Sequence, residues 1–564
     1  MRENQGNIMS RRLLRYMAAG AACLLTTAAA VPAEARPQEQ SAAPARADIV
    51  IYGCTSGGVV AAIEARRLDR SVLLVCTDDY LGGMTTNGLG WSDTGNHRAI
   101  GGLSLEFYRR VKRHYDDPAA WIWSKRPEKG ENFVDDGAMW QFEPKVADRI
   151  YEDWVREAGV TVVRNQPIRR DAAGVEKRGG RIVAIQSRTG RRFEGNMFID
   201  ATYEGDLMGG AGVSFTVGRE ANSQYGETLN GVQLKNTTNH QFTRDIDPYR
   251  VPGDPSSGLV PRVSAEKPAP DGSADTKIQA YTFRMCLTDV PANRVPFTKP
   301  AGYDASQYTL LKRYMDTGYR NFFQKFDRIP NGKTDTNNFG AFSFDNIGMN
   351  YAYPTGSDAE RARIIAEHVT YQQGLLWFMA NDPQVPAETR AETSKWGLCK
   401  DEFVNSGHWP REFYVREARR MVSHFVMAEP HLRGAKETSK PIGMGSYNMD
   451  SHNTQRIVDD RGFVRNEGNI EISPGRAYPI GYGAILPKRA EAANLLVPVA
   501  LSASHIAYGS IRMEPVFMIL GQSAAAAASI AIDEGQAVQD VDYAKLRDRL
   551  LAEGQILSLP DEGK

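Results

Sequence analysis

Apolar residues at Val59, Ala62, Ile63, Ala65 and Leu68, with Arg66 and Arg67 between them, recur at the helical period and predict a helix over 59–69. The runs 48–52 before it and 71–75 after it alternate little. That is the pattern of strands buried on both faces of a parallel sheet. Strand, turn, helix and strand in so short a stretch make a βαβ unit. The same spacing rules predict helices over 101–115 and 143–158, the second closed by Gly159, and then a strand over 160–165. Runs at 181–187 and 192–200, parted by Thr189-Gly190, read as an antiparallel pair.

The middle of the chain has a different texture. Residues 221–273 and 331–356 are rich in Asn, Asp, Pro, Gly and Ser and read as long surface loops or an insertion. Helices are predicted over 358–381, with Ser357 as N-cap, and over 387–402 and 411–427. Near the end come an apolar strand over 494–500, a loop over 501–513 and a helix over 515–534. Pro515 stands at the first position of that helix and Gly535 stops it. The layout predicts an α/β domain built from both chain ends, 48–220 and 480–564, with an α+β substrate region, largely helical with long loops, inserted over 221–479.

Composition changes this picture at one end only. Arg2, Arg11, Arg12 and Arg15 precede a short apolar run and the small-residue pattern Ala33-Glu34-Ala35, the layout of a secretory signal over 1–35. Ser10-Arg11-Arg12-Leu13-Leu14 fits a twin-arginine signal or a general signal carrying two arginines. An Ala/Pro-rich tether over 36–47 follows, and the expected location is periplasmic or secreted. Lys plus Arg and Asp plus Glu balance at 68 each, so charge provides no reason to expect nucleic acid or an anionic membrane surface. The apolar run 516–532 carries Gln522 and serines and reads as a core helix, so no integral membrane segment is expected in the mature chain. Cys54, Cys76, Cys286 and Cys399 have irregular spacing and no metal-ligand pattern. They read as buried free thiols, although a Cys54–Cys76 bridge is geometrically conceivable at adjacent strand ends.

The first strand–helix turn, Gly53-Cys54-Thr55-Ser56-Gly57-Gly58, carries the first chemistry. A dinucleotide needs a tight turn there, a close backbone approach and a helix N-terminus offering free N–H groups to a pyrophosphate. Gly53 suits the turn and Gly58 the helix–strand packing, while Thr55 stands where a middle glycine is expected. Cys76 stands at the end of the second strand, where an acid usually binds ribose. Asp78 and Asp79 lie just beyond and can substitute, as can backbone. Gly82-Gly83-Met84 follows, and paired glycines there let backbone pass a large flat ligand, as an extended FAD requires.

From these residues outward the chain resembles a known family. "LGGMTTNGLGWSD" (81–93), "FIDATYEGDLMGGAGVSFTVGREA" (198–221), "YVREARRMV" (414–422), "IGMGSYNMDSHNTQR" (442–456) and "SASHIAYGSIRMEPVFMILGQSAA" (502–525) are similar to the FAD-dependent oxidoreductase family of the glutathione-reductase-like flavoprotein clan. They fit a branch of secreted bacterial members sometimes labelled xanthan lyase. The resemblance implies bound FAD, a Rossmann-like FAD-binding domain and a redox reaction. It also implies that Ala201 and Thr202 pass the pyrophosphate side and that Val163 meets adenine by backbone.

For the reaction, three residues stand out. His505 is a base for a CH–OH oxidation or a loop histidine bonded to backbone. His452, beside Asn448, Asp450 and Arg456, belongs to a substrate pocket floor or a buried structural network. Arg416, Arg420 and His424 share one face of the helix predicted over 411–427 and grip a substrate or face solvent. The helix starting at Glu514-Pro515 aims its N-terminus at the flavin's pyrimidine edge, and Arg512 adds charge to that edge or binds phosphate. Asp206 fixes the turn after the 192–200 strand or caps locally. Trp121, Trp123 and Trp140 stack on sugar rings or fill the core, and His97 is a conceivable point of covalent flavin attachment. The reading is an exported oxidoreductase acting on a small CH–OH substrate such as a sugar or glycoside, with oxygen, a quinone or a carrier as acceptor. The alternatives are a polysaccharide lyase and a non-catalytic glycan-binding protein.

Overall fold

The computed structural model describes residues 45–126 and 137–559. The signal and most of the tether lie outside the described residues. The organising element is a mostly parallel sheet. Strands β1 (Ala45–Tyr52), β2 (Val72–Val75), β3 (Thr161–Val163), β4 (Val175–Arg178), β5 (Arg181–Gln186) and β6 (Arg192–Asp200) stand in the order β3-β2-β1-β6-β5-β4. β1 pairs in parallel with both β2 and β6, and Tyr52 stands opposite Val75 and Asp200, so three strand ends finish level. The tether is shorter than expected: Ala45 and Arg46 already pair with Phe193 and Glu194.

Helix α1 (Ser56–Arg67) crosses from β1 to β2. It lies directly on the core helix Glu514–Asp533, and the contact is backbone on backbone. A Cβ on Gly521 would sit 2.1 Å from the Gly57 carbonyl oxygen, and one on Gly57 would sit 2.8 Å from that of Phe517. The alanine run 524–528 is wholly buried in the same layer, which is why so apolar a helix belongs to the core. The two chain ends meet in one sheet as well, since Leu495–Leu496 pairs in parallel with β6, although the apolar run predicted over 494–500 forms only that two-residue strand. Helices α2 (Met84–Asn87), α3 (Gly102–Asp116) and α4 (Pro144–Glu157) complete this half, the last two where periodicity placed them.

The middle of the chain departs from expectation. Instead of a largely helical region it contains a five-stranded antiparallel sheet, from Phe326–Ile329 through Lys333–Thr336, Met285–Thr288 and Gly397–Cys399 to Arg294–Val295. The strand Lys333–Thr336 lies in what read as a surface loop and is buried at every residue. Its polar side chains are satisfied by ion pairs, so composition misled. The long helix Asp358–Asn381 forms as predicted, with Ser357 and Glu360 closing a capping box. The next helix stops at Thr393 rather than 402. No helix forms over 411–427, because Arg416 and Arg420 are drawn to buried Asp345 and Glu220 in other segments, and these pairs outweigh helical propensity. The expected loop 501–513 contains a short helix, His505–Ile511, capped by Ser504.

The four cysteines correct the free-thiol reading. Cys54 is bonded to Cys76 and Cys286 to Cys399. The first bridge ties the ends of β1 and β2 and the second joins two neighbouring strands of the antiparallel sheet. The Cys54–Cys76 bridge is the alternative that adjacent strand ends left open, whereas irregular spacing hid Cys286–Cys399, because sheet pairing rather than spacing sets which cysteines meet.

Candidate active site

A crevice of about 340 Å³ opens at the level ends of β1, β2 and β6, where the strand order reverses. That is where open α/β sheets bind ligands. Gly53, Cys54, Thr55, Asp78, Gly83 and Thr202 line it. Gly53 has φ +101°, and a Cβ there would lie 2.7 Å from the backbone at Ala201 and Thr202, so only glycine fits between the turn and β6. Thr55 is the N-cap of α1: its hydroxyl donates to the Ala201 carbonyl at 2.7 Å and accepts from the Gly58 amide at 3.3 Å. The amides of Ser56 and Gly57 have no helical partner by position. Gly82 donates to the Cys54 carbonyl at 2.7 Å, which hangs the paired glycines on the turn.

Below this turn a carboxylate gathers hydroxyls. Glu514, first residue of the core helix, accepts from Ser56 at 2.5 Å, Thr85 at 2.9 Å and Tyr203 at 2.7 Å, while Tyr203 accepts the Met84 amide at 3.0 Å. Burial pushes the Glu514 carboxyl up, and these donors oppose the shift. The turn after β6 is fixed by Asp200, not Asp206. Asp200 accepts from the Thr202 amide and hydroxyl and from the Met208 amide, and burial pushes its carboxyl up to about 6. Asp206 instead joins Arg361 at 2.6 Å and Arg419 at 2.7 Å. Sequence reasoning missed Asp200, Tyr203 and Glu514 as site residues, although all three lie inside the quoted motifs. Val163 is placed beside the crevice: its carbonyl accepts the Cys76 amide at 2.9 Å. Asp78 lines the crevice and accepts from Thr77, whereas Asp79 turns away to Arg411.

A second polar assembly lies in the interior. His452 donates or accepts through Nδ1 at Asp345, 2.8 Å away, and its Nε2 is 3.5 Å from Asp450. Arg416 meets the other Asp345 oxygen at 3.0 Å, an ion pair whose angles do not make a hydrogen bond. Burial alone would raise the Asp345 carboxyl, but Arg416 and His452 hold it low. Asp450 is likewise held low against burial by His452 and then Arg512. Arg512 reaches Asp450 at 3.1 Å and the Tyr414 hydroxyl at 3.0 Å and is not among the crevice-lining residues. His452 and Asp450 stand in the wall of a separate pocket of about 530 Å³.

His505 does not share that access. Its Nδ1 faces Glu417 at 2.8 Å and its Nε2 faces Ser451 at 2.9 Å, deep in the core. Burial would raise Glu417, but His505 and Arg420 hold it at about 2. Arg420 pairs with Glu417 and Glu220, His424 is exposed, and the shared helix face proposed for them does not exist. Arg456 is tied to Asn466 in the core. Trp140 is buried and His97 stacks on it at 4.6 Å, while Trp121 bonds the Tyr115 carbonyl. Trp123 donates its amide to Asn331. None of the three tryptophans lines the 530 Å³ pocket. The carboxylates Glu143, Asp401 and Glu402 cluster as metal ligands would, but they close on the Lys333 ammonium at 2.5–2.8 Å.

The FAD dependent oxidoreductase family profile matches residues 48–550. This chain belongs to the FAD-dependent oxidoreductase family. FAD is that family's cofactor and oxidoreduction its chemistry. A search among curated proteins finds no match. Among solved structures the chain is similar to L-proline dehydrogenase from P. horikoshii, at 15% identity over 32% of this chain and 59% of that one, TM-score 0.23. It is also similar to L-amino acid deaminase from Proteus vulgaris, at 14% over 31% and 52%, TM-score 0.23, and to the OxyS anhydrotetracycline hydroxylase from Streptomyces rimosus, at 15% over 31% and 36%, TM-score 0.21. The aligned part spans 36–59% of those chains, and the family assignment rests on the profile match.

The residues present fit FAD. Gly53 clears backbone at the level strand ends, and Thr55, the N-cap of α1, lines the crevice. Deeper in, Gln279 Nε2, Arg416 Nε and Arg512 Nε are buried donors without a hydrogen-bond partner, as an assembly built to meet further acceptors would have. Gly53, Thr55, Ser56, Gly57, Gly83 and Thr202 would hold the diphosphate, with Thr77 and Asp78 on the nucleoside side.

Proposed function

We propose that this FAD-dependent oxidoreductase is exported and oxidises a CH–OH group of a small polyhydroxylated molecule such as a sugar or glycoside. Electrons then pass to oxygen, a quinone or a carrier. The observation that carries the reading is His452, in the wall of the 530 Å³ pocket, with Asp345 bonded behind it at Nδ1. The volume suits a small molecule. The lining is rich in groups that both donate and accept, among them Asn239, Gln241, Asn337, Asn338 and Asn448, with the Tyr319 and Tyr447 rings beside them. That chemistry recognises several hydroxyls at once.

FAD, when bound, would supply the hydride-accepting chemistry. The chain supplies the proton acceptor. Asp345 engages His452 Nδ1, which leaves Nε2 to take the hydroxyl proton, and Arg416 keeps Asp345 ionised. The Asp450 carboxylate, 3.5 Å from the ring, stabilises the imidazolium that results, and Arg512 holds Asp450 in place. His505, bonded at both nitrogens away from either cavity, is assigned a structural role. Two disulfides support an oxidising compartment, in keeping with the export signal. The test is anaerobic bleaching of the bound flavin by a panel of sugars, polyols and uronic acids. Bleaching by a member of the panel, slowed in His452→Ala with flavin content intact, supports the proposal. A flavin that no member reduces overturns it.

A further inference from the structure

We infer that the Cys54–Cys76 disulfide is part of the cofactor site and sets how firmly FAD is held. This rests on the FAD reading above and goes beyond it. β1 and β2 finish level, and the backbone ladder between them ends where the Gly53 amide donates to the Val75 carbonyl at 2.9 Å. Past that point the two chains diverge around the crevice, and the disulfide is the link that spans them. What hangs on each cysteine gives the link its meaning.

On one side, the Cys54 carbonyl accepts the Gly82 amide, and Thr55 pairs with Gly82 as an isolated bridge. Cys54 thus carries both the phosphate-facing turn and the paired glycines. On the other side, the Cys76 amide donates to Val163 and its carbonyl accepts from Gln166 at 2.8 Å, while the Asn165 amide donates to the Asp78 carbonyl at 3.0 Å. Cys76 thus carries the wall where Thr77, Asp78, Pro167 and Ile168 line the nucleoside end. Cys54 itself lines the crevice. One covalent bond joins the two walls that must close on one ligand.

The sequence position sharpens this. Cys76 occupies the place where an acid commonly grips ribose, and a disulfide sulfur cannot accept a comparable hydrogen bond. The side chain that elsewhere contributes a direct contact here contributes preorganisation: the walls are already at their spacing, so less freedom is lost when the ligand arrives. Opening the bridge adds two electrons and two protons, taken from a dithiol that becomes a disulfide, and gives two thiols. The sheet keeps its ladder, so the fold persists while the crevice walls are free to part.

The experiment measures FAD release from purified, loaded protein by the recovery of free-flavin fluorescence. It is run on a Cys286→Ser/Cys399→Ser background, so that the Cys54–Cys76 bridge is the only one. Release is followed before and after reduction with dithiothreitol, with near-UV circular dichroism to verify that the fold is intact. A Cys54→Ser/Cys76→Ser variant provides a reductant-free comparison. If that background fails to fold, the same reduction is followed on the native chain with both bridges, and the Ser pair separates their effects. The bridge-open forms are expected to lose FAD about tenfold faster, the scale of one preorganised contact. Equal or slower release from folded, bridge-open protein overturns the inference. A bridged protein that retains no FAD overturns the cofactor reading instead.

Discussion

The crevice at the strand ends and the polar assembly around His452 are built on opposite principles. The turn at the crevice is made of backbone: a glycine where no Cβ fits, amides at a helix start, carbonyls at level strand ends. That turn comes from one short contiguous stretch. The interior assembly is made of charges that meet only in three dimensions. Asp345, Arg416, His452 and Arg512 come from four separate segments, and Arg416 and His452 hold the Asp345 carboxyl low. The first kind of site is intolerant of added atoms. The second is intolerant of removed partners.

Substitutions can break this comparison. The largest effect is expected from Gly58→Val, since a Cβ at Gly58 would lie 2.0 Å from the Gly53 carbonyl oxygen. The α1 start cannot form around it. A loss above about 4 kcal/mol is expected, the scale of an exceptional single substitution, seen as absent flavin and a collapsed melting transition. Next come the two histidines. His452→Ala should lower the rate of flavin reduction by roughly 10²–10⁴, the usual contribution of a general base, with flavin content and melting temperature nearly unchanged. His505→Ala should do the reverse. It leaves Glu417 in the core with Arg420 and the Gln279 amide but without its histidine, and a loss of about 3–5 kcal/mol in stability is expected for a broken buried pair. Equal behaviour of the two variants would erase the distinction between the assemblies.

The crevice also has a pH signature. Glu412 and Glu204 line it; burial and then neighbouring acids push Glu412 up, and burial pushes Glu204 up against the opposing charge of Arg361. Protonated, they tolerate the FAD diphosphate; ionised, they repel it. FAD affinity should therefore fall as pH rises through their titration, by roughly tenfold if the coupling is near 1.4 kcal/mol. Glu412→Gln should flatten the profile in a fluorescence titration.

The last test concerns neither site and calibrates both. Glu64 on α1 is fully buried with no hydrogen-bond partner for its oxygens, and burial together with Glu553 pushes its carboxyl up to about 9. Between its ordinary value of 4.5 and about 9, the folded chain holds a proton that the unfolded chain has released, so stability falls as pH rises through that window. Glu64→Gln should stabilise the protein by about 1–3 kcal/mol at pH 8, the scale of one unsatisfied buried group. The gain should vanish below pH 4, as denaturant melts at both values would read.

What was legible follows the same division. The βαβ unit, the helices at 102–116, 144–157, 358–381 and 514–533, and the glycine turn are local, and each was readable from period, caps and turn residues. The stretch 411–427 has helical composition yet forms no helix, because Arg416 and Arg420 find buried carboxylates elsewhere. Lys333–Thr336 looks like surface loop yet lies at the heart of a sheet, because its lysine meets three acids from distant segments.

By itself, the sequence determined the family, the cofactor and the glycine turn at the end of the first strand, because a Gly53 turn and a helix start encode their geometry within a few residues. Only the tertiary structure decided which cysteines pair, which histidine reaches a cavity and which carboxylate orients it. Those outcomes depend on distances between residues far apart in the chain, and such distances are set by packing, which no local pattern records.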